Sequence, residues 1–460
     1  MEIIYFLNLI MDINEINKTA YNLINLLFIK DLEKKNGNSV DRKKFIGDSE
    51  CIGKIDVRKT VYFTIYETDI LNNNISANVI LDNKKVGLDR KNYQLLKNLV
   101  EELLNDNFIY ENCDFEFIEK KVFGWIIEVY SKSKADFDLY NYLLLNIEKE
   151  KNDHIFYFKV NNLAIEDNFV VGNCEFKSLE ENFFEERLIE INHNSINISE
   201  KDDEAFLMYN KSFLNKLLIT TSFSGVHNKA LSQAKKQVEL SINALKIFLS
   251  LESLNKKNLF NVDFNDMNND VTEYFSYTNN SDFHTIIGSK KSSAVPVEIS
   301  SNSFNEFKKE GLENISEFLK NNKKNELYFE IESLINDYGN INSTQNLHIR
   351  LVWLVSFFER VIIPKSNTKG KGLIYLKNNI LPKLINNFDA EIAGKVNTIY
   401  KIRDKYLHNR IELPIGVDSI LMFKEIAKLF LLKLIFLNNS NCQTLEDVQR
   451  FFDISTSKNL

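Results

Sequence analysis

The sequence predicts an α+β protein: a β-rich N-terminal domain, a mainly helical connector and a C-terminal helical bundle. Three observations lead there. Short apolar–polar alternations dominate the chain as far as about Asn192. Beyond that point apolar residues recur at three and four spacing, the helical rhythm. The 460 residues also exceed the roughly 250 to 300 that one core organises, so two or three domains are expected. The boundaries drawn are 1–200, 201–340 and 341–460.

In the first region the strand candidates are TVYFTIYE, SANVILDNKKVGL, FGWIIEVYS, HIFYFKV and DNFVVGNCEFKSL, the second reading as a hairpin that turns at DNKK. Helical spacing interrupts them at NKTAYNLINLLFIKDLEKK and RKNYQLLKNLVEELLND. The connector opens on a stripe of Ala230, Ala234, Val238, Ile242, Leu245 and Leu249. A polar stretch of strand and loop follows, then helices at NSFNEFKKEGLENISEFLKNN and KNELYFEIESLINDYG. From about Ile341 come four helical segments. STQNLHIRLVWLVSFFERVII starts at a Ser343 or Thr344 cap and stops at Pro364. LIYLKNNILPKLINNF carries Pro382, which kinks or divides it. AEIAGKVNTIYKIRDKYLHNR ends before Pro414, and DSILMFKEIAKLFLLKLIFLN is apolar almost all round, hence buried on several sides.

Composition narrows the function. A net charge of −7 opposes bulk attraction to nucleic acid, so any nucleic-acid site is a local basic pocket. Cys51, Cys113, Cys174 and Cys442 lie far apart without metal or CxxC spacing, which reads as reduced thiols in a cytoplasmic protein. The apolar start MEIIYFLNLIM contains Glu2 and lacks a cationic leader and cleavage site, and no run reaches the roughly 18 apolar residues of a membrane span. No membrane partner is expected.

No metal and no cofactor are indicated by the motifs. The six histidines show no HExxH or HxH spacing. DFNDMNND, from Asp263 to Asp270, lacks the glycine and terminal glutamate of a calcium loop and reads as a solvated turn. TKGKGL joins helices rather than strand and helix, so it is no P-loop; Lys365, Lys369 and Lys371 read as a solvated loop, with phosphate contact as the alternative.

The chemistry concentrates in VNTIYKIRDKYLHNR. Val396, Ile399, Ile402, Tyr406 and Leu407 gather on one helical face, and Arg403 falls inside that arc. His408 lies about 140° away around the axis, so one helix does not easily aim both at one atom; two copies meeting at a two-fold axis do. Glu359 occupies the arc of Val352, Val355 and Ile362 in the first bundle helix. Two readings stand side by side: a core ion pair between Glu359 and Arg403, or a carboxylate that holds the guanidinium for an anionic substrate. For RNA the second has content. The 2′-hydroxyl is the nucleophile, histidine moves protons near neutral pH, and arginine stabilises the phosphorane oxygens.

YKIRDKYLHN resembles the motif of HEPN domains, an arginine followed by a polar residue and then a histidine: here Arg403, Asp404 and His408. WLVSFFERVI resembles the acid-terminated first helix of that family, and VNTIYKIRDKYLHN is similar to the form found in ApeA-type HEPN proteins. The match covers about Ile341 to Asn438 closely and the remainder only in architecture. The resemblance implies a metal-independent endoribonuclease of bacterial anti-phage defence by abortive infection, cleaving RNA, with tRNA as one candidate, to 2′,3′-cyclic phosphate and 5′-hydroxyl ends. It assigns proton transfer to His408, phosphate stabilisation to Arg403, orientation of His408 to Asp404 and a supporting place to Glu359; Lys405, Asn409 and Arg410 are RNA-binding candidates only because they lie beside the motif. It also implies a homodimer through the HEPN domain and a phage-derived trigger at the N-terminal domain. The alternative is a non-catalytic HEPN module that binds RNA or a nucleotide or serves dimerisation; a purely structural bundle is a third reading.

Overall fold

The structure is a computed structural model, and it describes residues 12–31, 64–132, 138–194, 207, 210–249, 274–278, 283–286, 297–321, 324–343, 346–362 and 372–454. The apolar start, Cys51, the acidic run 263–270, Pro364, Lys365, Lys369 and Lys371 lie outside these residues. Two compact units emerge: Met1–Asn152 with Ser224–Ala230, and Asp153–Phe223 with Leu231–Leu460.

In the first unit, helix α1 (Ile13–Asn25) precedes a four-stranded antiparallel sheet. Its strands are β1 (Phe28–Asp31), β2 (Thr64–Thr68), β3 (Asn74–Leu81) and β4 (Lys84–Leu88), in the order β1-β4-β3-β2. The predicted hairpin is present: Leu81 pairs with Lys84 across Asp82 and Asn83, both at positive φ, which suits a two-residue turn. Helices α2 (Arg90–Leu103), α3 (Asn107–Asn112), α4 (Phe115–Lys132) and α5 (Leu139–Glu150) follow. Asp89, Asp106 and Asp138 cap α2, α3 and α5 through their carboxylates.

Two local expectations change here. FGWIIEVYS, expected as a strand, lies within α4, where Val122, Phe123, Trp125, Ile126, Ile127 and Val129 are all buried. A helix enclosed on most sides has no polar face, so its apolar run imitates a buried strand. The segment expected as one helix from Asn17 to Lys35 leaves the helix after Asn25, and Phe28–Asp31 pairs with β4 instead.

The second unit holds a six-stranded sheet, built from β5 (Asn152–Lys159), β7 (Phe169–Val171), β8 (Cys174–Ser178), β9 (Leu217–Gly225), β10 (Tyr274–Thr278) and β11 (Phe283–Ile286). The order is β11-β10-β5-β9-β8-β7, while β6 (Leu163–Ile165) pairs in parallel with β12 (Val297–Ile299). Stacked Tyr157 and Phe275, with ring centroids 4.5 Å apart, anchor an aromatic cluster with Phe184 and Phe213.

Helices α6 (Phe183–Asn194) and α7 (His227–Lys246) come from this half of the chain. Ala234, Val238, Ile242 and Leu245 of the predicted stripe are buried. After α8 (Ser301–Phe307), a π-turn at Lys308–Leu312 and α9 (Glu313–Lys320), the bundle proper begins. It comprises α10 (Glu326–Ser343), α11 (Leu347–Ile362), short α12 (Gly372–Tyr375) and α13 (Leu381–Leu384), then α14 (Ala390–Asn409), α15 (Val417–Asn439) and α16 (Leu445–Ile454). A π-turn at Leu376–Ile380 separates α12 from α13, with Pro382 in the first turn of α13, where its missing N–H costs nothing. The cap of α11 is Asn346, whose side chain accepts from the amides of His348 and Ile349; Ser343 closes α10 instead. Helix α15 is enclosed as expected, and even Lys424 and Lys428 are buried on it. Arg360 ties α11 to α10 through Glu330 and Asp337.

Candidate functional site

Helix α14 delivers the arginine–histidine segment to the rim of the bundle. Asp389 caps its start by accepting from the Ile392 amide at 2.9 Å. Val396, Ile399, Tyr400 and Ile402 bury its inner face. Its end is set by Arg410, which adopts the left-handed conformation at φ 54°, while the amides of Arg410 and Ile411 donate to the carbonyls of Tyr406 and Lys405. The last turn is solvated: Leu407, His408, Asn409 and Arg410 are all exposed. Leu407 therefore departs from the apolar face to which its spacing assigned it, because the helix ends where bundle contacts end.

Arg403 sits one turn earlier, and its side chain retains 15% of its exposure. One terminal nitrogen donates to Glu359 on α11. The other donates to Asp404 Oδ1 at 3.0 Å. The guanidinium also lies over the Tyr400 ring, 5.3 Å from its centroid. Glu359 and Asp404 differ in setting: the first side chain is 27% exposed and the second 55%. Burial, with the Glu359 carboxylate nearby, pushes the Tyr400 hydroxyl above its ordinary pKa, and that hydroxyl finds no hydrogen-bond partner among the described residues.

The structure thus brings Arg403, Glu359 and Asp404 together. It leaves His408 exposed, and no hydrogen bond or ion pair of His408 occurs among the described residues. Asp404, which the resemblance assigns to orienting His408, accepts from Arg403 instead. Lys405, Asn409 and Arg410 are exposed around the same helix end, so the basic groups face solvent rather than the core. A guanidinium held by one carboxylate and paired on its other side with a solvent-exposed one can grip an oxyanion that displaces the second. A neighbouring exposed imidazole can exchange protons with bound substrate or water.

One neighbour was not anticipated. His348, at the start of α11, stacks on Tyr406 with centroids 5.0 Å apart, and its Nε2 lies 3.0 Å from the Leu413 carbonyl oxygen. Asn346, Leu347 and His348 face Glu412, Leu413, Pro414 and Ile415 across a shallow cavity of about 410 Å³. The sequence signal was only a histidine two residues after a capping asparagine, which carries no information about its tertiary neighbour. Among the described residues no helix is long and apolar enough to cross a membrane. Compared with protein-family models, curated proteins and solved structures, the chain finds no significant match.

Proposed function

We propose that the chain is a metal-independent endoribonuclease of HEPN type, acting in anti-phage defence, with Arg403 and His408 of two copies forming one composite site. The carrying observation is the setting of Arg403: its charge is held at the bundle rim by Glu359, while its second partner, Asp404, is solvated and displaceable. A scissile phosphate replacing Asp404 meets a guanidinium already fixed in place, which favours the developing phosphorane charge. The 2′-hydroxyl then attacks phosphorus, the 5′-oxygen leaves, and His408 moves a proton in that exchange, giving a 2′,3′-cyclic phosphate and a 5′-hydroxyl. Exposed Leu407 and Ile411, at 48% and 45%, flank this end of α14 and suit coverage by a second copy. A phage-derived trigger acting through the N-terminal region completes the reading.

The second reading is a non-catalytic module that binds RNA or a nucleotide. The double pairing of Arg403 favours it, because both carboxylates balance the charge in this conformation. Cleavage of tRNA and longer RNA in EDTA, with end-group analysis, separates the two. The enzyme reading expects cyclic-phosphate ends and a loss of about 100-fold or more in Arg403→Ala and in His408→Ala. RNA binding without cleavage, in protein that also fails to arrest growth when overexpressed, supports the module.

A further inference from the structure

A second chemically distinctive place lies in the second unit, where α15 passes the end of α7. A cavity of about 620 Å³ opens there, lined by Phe248, Tyr338, Leu421, Leu429 and three charged side chains of α15 together with Glu310 of the π-turn. The charges divide in two. Lys428 Nζ meets Glu310 at 3.1 Å and Glu425 at 2.9 Å, and those carboxylates are about half exposed, at 51% and 57%. Although burial opposes its charge, the two carboxylates keep the Lys428 pKa above its ordinary value.

Lys424 has no such partner. Only 4% of it is exposed, and no carboxylate pairs with it among the described residues. Its Nζ lies 5.6 Å from the centroid of the Tyr338 ring, and the Tyr338 hydroxyl donates to the Lys424 carbonyl oxygen at 3.2 Å, fixing ring and backbone together. Arg350 on α11, itself 2% exposed, adds like charge. Burial first, and then Arg350, push the Lys424 amine down to about 7. A buried lysine beside a second cation is the arrangement that leaves an amine neutral and nucleophilic near physiological pH.

We propose that this cavity is a carbonyl-binding site, in which Lys424 Nζ reversibly captures a small apolar aldehyde or ketone as an imine. The nitrogen lone pair forms a bond to the carbonyl carbon, and the carbonyl π bond breaks to give a carbinolamine. Loss of water, carrying the former carbonyl oxygen and both amine protons, leaves the C=N bond. Phe248, Tyr338, Leu421 and Leu429 supply apolar surface that receives the rest of the ligand. The ion pair of Lys428 with Glu310 and Glu425 keeps the second amine in the cavity protonated and inert. The site is separate from Arg403 and His408 and does not rest on the ribonuclease reading.

Reductive trapping tests it. Full-length protein is held near pH 7 with limiting benzaldehyde and sodium cyanoborohydride, digested, and mapped by mass spectrometry. Lys424 is expected to acquire the benzyl group at least about tenfold faster than Lys428 or the exposed lysines, since the neutral fraction of an amine falls tenfold per pKa unit. The Lys424→Met protein is expected to lose that early adduct. Should this variant fail to fold, the Lys424 to Lys428 labelling ratio in the unaltered protein decides alone. Labelling spread over surface lysines, with Lys424 unmodified or lagging, overturns the proposal.

Discussion

The Arg403 guanidinium donates to the Glu359 carboxylate across the α11–α14 interface and, from its other terminal nitrogen, to Asp404 on its own helix. Arg403 is thus a largely buried cation paired with two carboxylates of unequal exposure, Glu359 partly buried and Asp404 in solvent.

Removing one side of that pair separates positioning from charge. Glu359→Gln keeps the shape and an acceptor oxygen, so the fold is expected to survive while Arg403 loses its fixed orientation. Under the ribonuclease reading, kcat falls by about tenfold with KM little changed, because the lost effect is alignment in the transition state. Steady-state cleavage of a defined RNA, beside a thermal melt of the same preparation, checks this. A large fall in melting temperature that matches the loss of activity would instead mark Glu359 as purely structural.

Tyr400 offers a cleaner test of the packing around the site. Its hydroxyl is buried without a partner among the described residues, whereas its ring supports the Arg403 guanidinium. Tyr400→Phe deletes the orphan oxygen and retains the ring. Stability is expected to hold or rise by up to about 1 kcal/mol, since an unsatisfied buried polar group is costly, and under the ribonuclease reading RNA cleavage is expected to be unchanged. Urea unfolding followed by circular dichroism measures the first; loss of activity in Tyr400→Phe would give its hydroxyl a catalytic part.

Lys424 predicts a pH dependence of stability. Its pKa falls from near 10.5 when unfolded to about 7 in the fold, so between these values the unfolded chain binds more protons than the native one. Stability from this group is then full above the unfolded value and declines as pH falls toward about 7, by at most about 1.4 kcal/mol per pH unit. Below that it is flat, both states being protonated. Urea midpoints between about pH 7 and 9 are expected to rise in the unaltered protein, and to rise less in Lys424→Met, which cannot titrate. Equal slopes in the two proteins would contradict the buried amine.

How far the site was legible depends on which distances matter. Arg403, Asp404 and His408 lie within six residues of one helix, so their angular relation follows from helical geometry once the helix is recognised. The inward lean of Glu359 was readable on the same ground. The partner choice of Asp404 was not, because two groups on one helix compete for it and the competition is settled by how deep Arg403 sits. His348 was out of reach for a different reason: its contact with Tyr406 spans two helices whose packing angle no local pattern encodes. FGWIIEVYS failed because burial on most sides erases the polar face that distinguishes the two periods.

By itself, then, the sequence determined the α+β class, the Asp82–Asn83 hairpin, the apolar faces of α7 and α15, and the placement of Arg403 and His408 near one helix end. Those are consequences of period, turn chemistry and capping, all of which act within a few residues. Only the tertiary structure decided that Arg403 meets Glu359, that His408 remains in solvent, and that Lys424 lies within a cavity while Lys428, one turn away, pairs with Glu310. Each of those depends on desolvation and on partners distant in sequence, and a long charged side chain on an apolar helix can reach water or be sealed from it according to what packs above it.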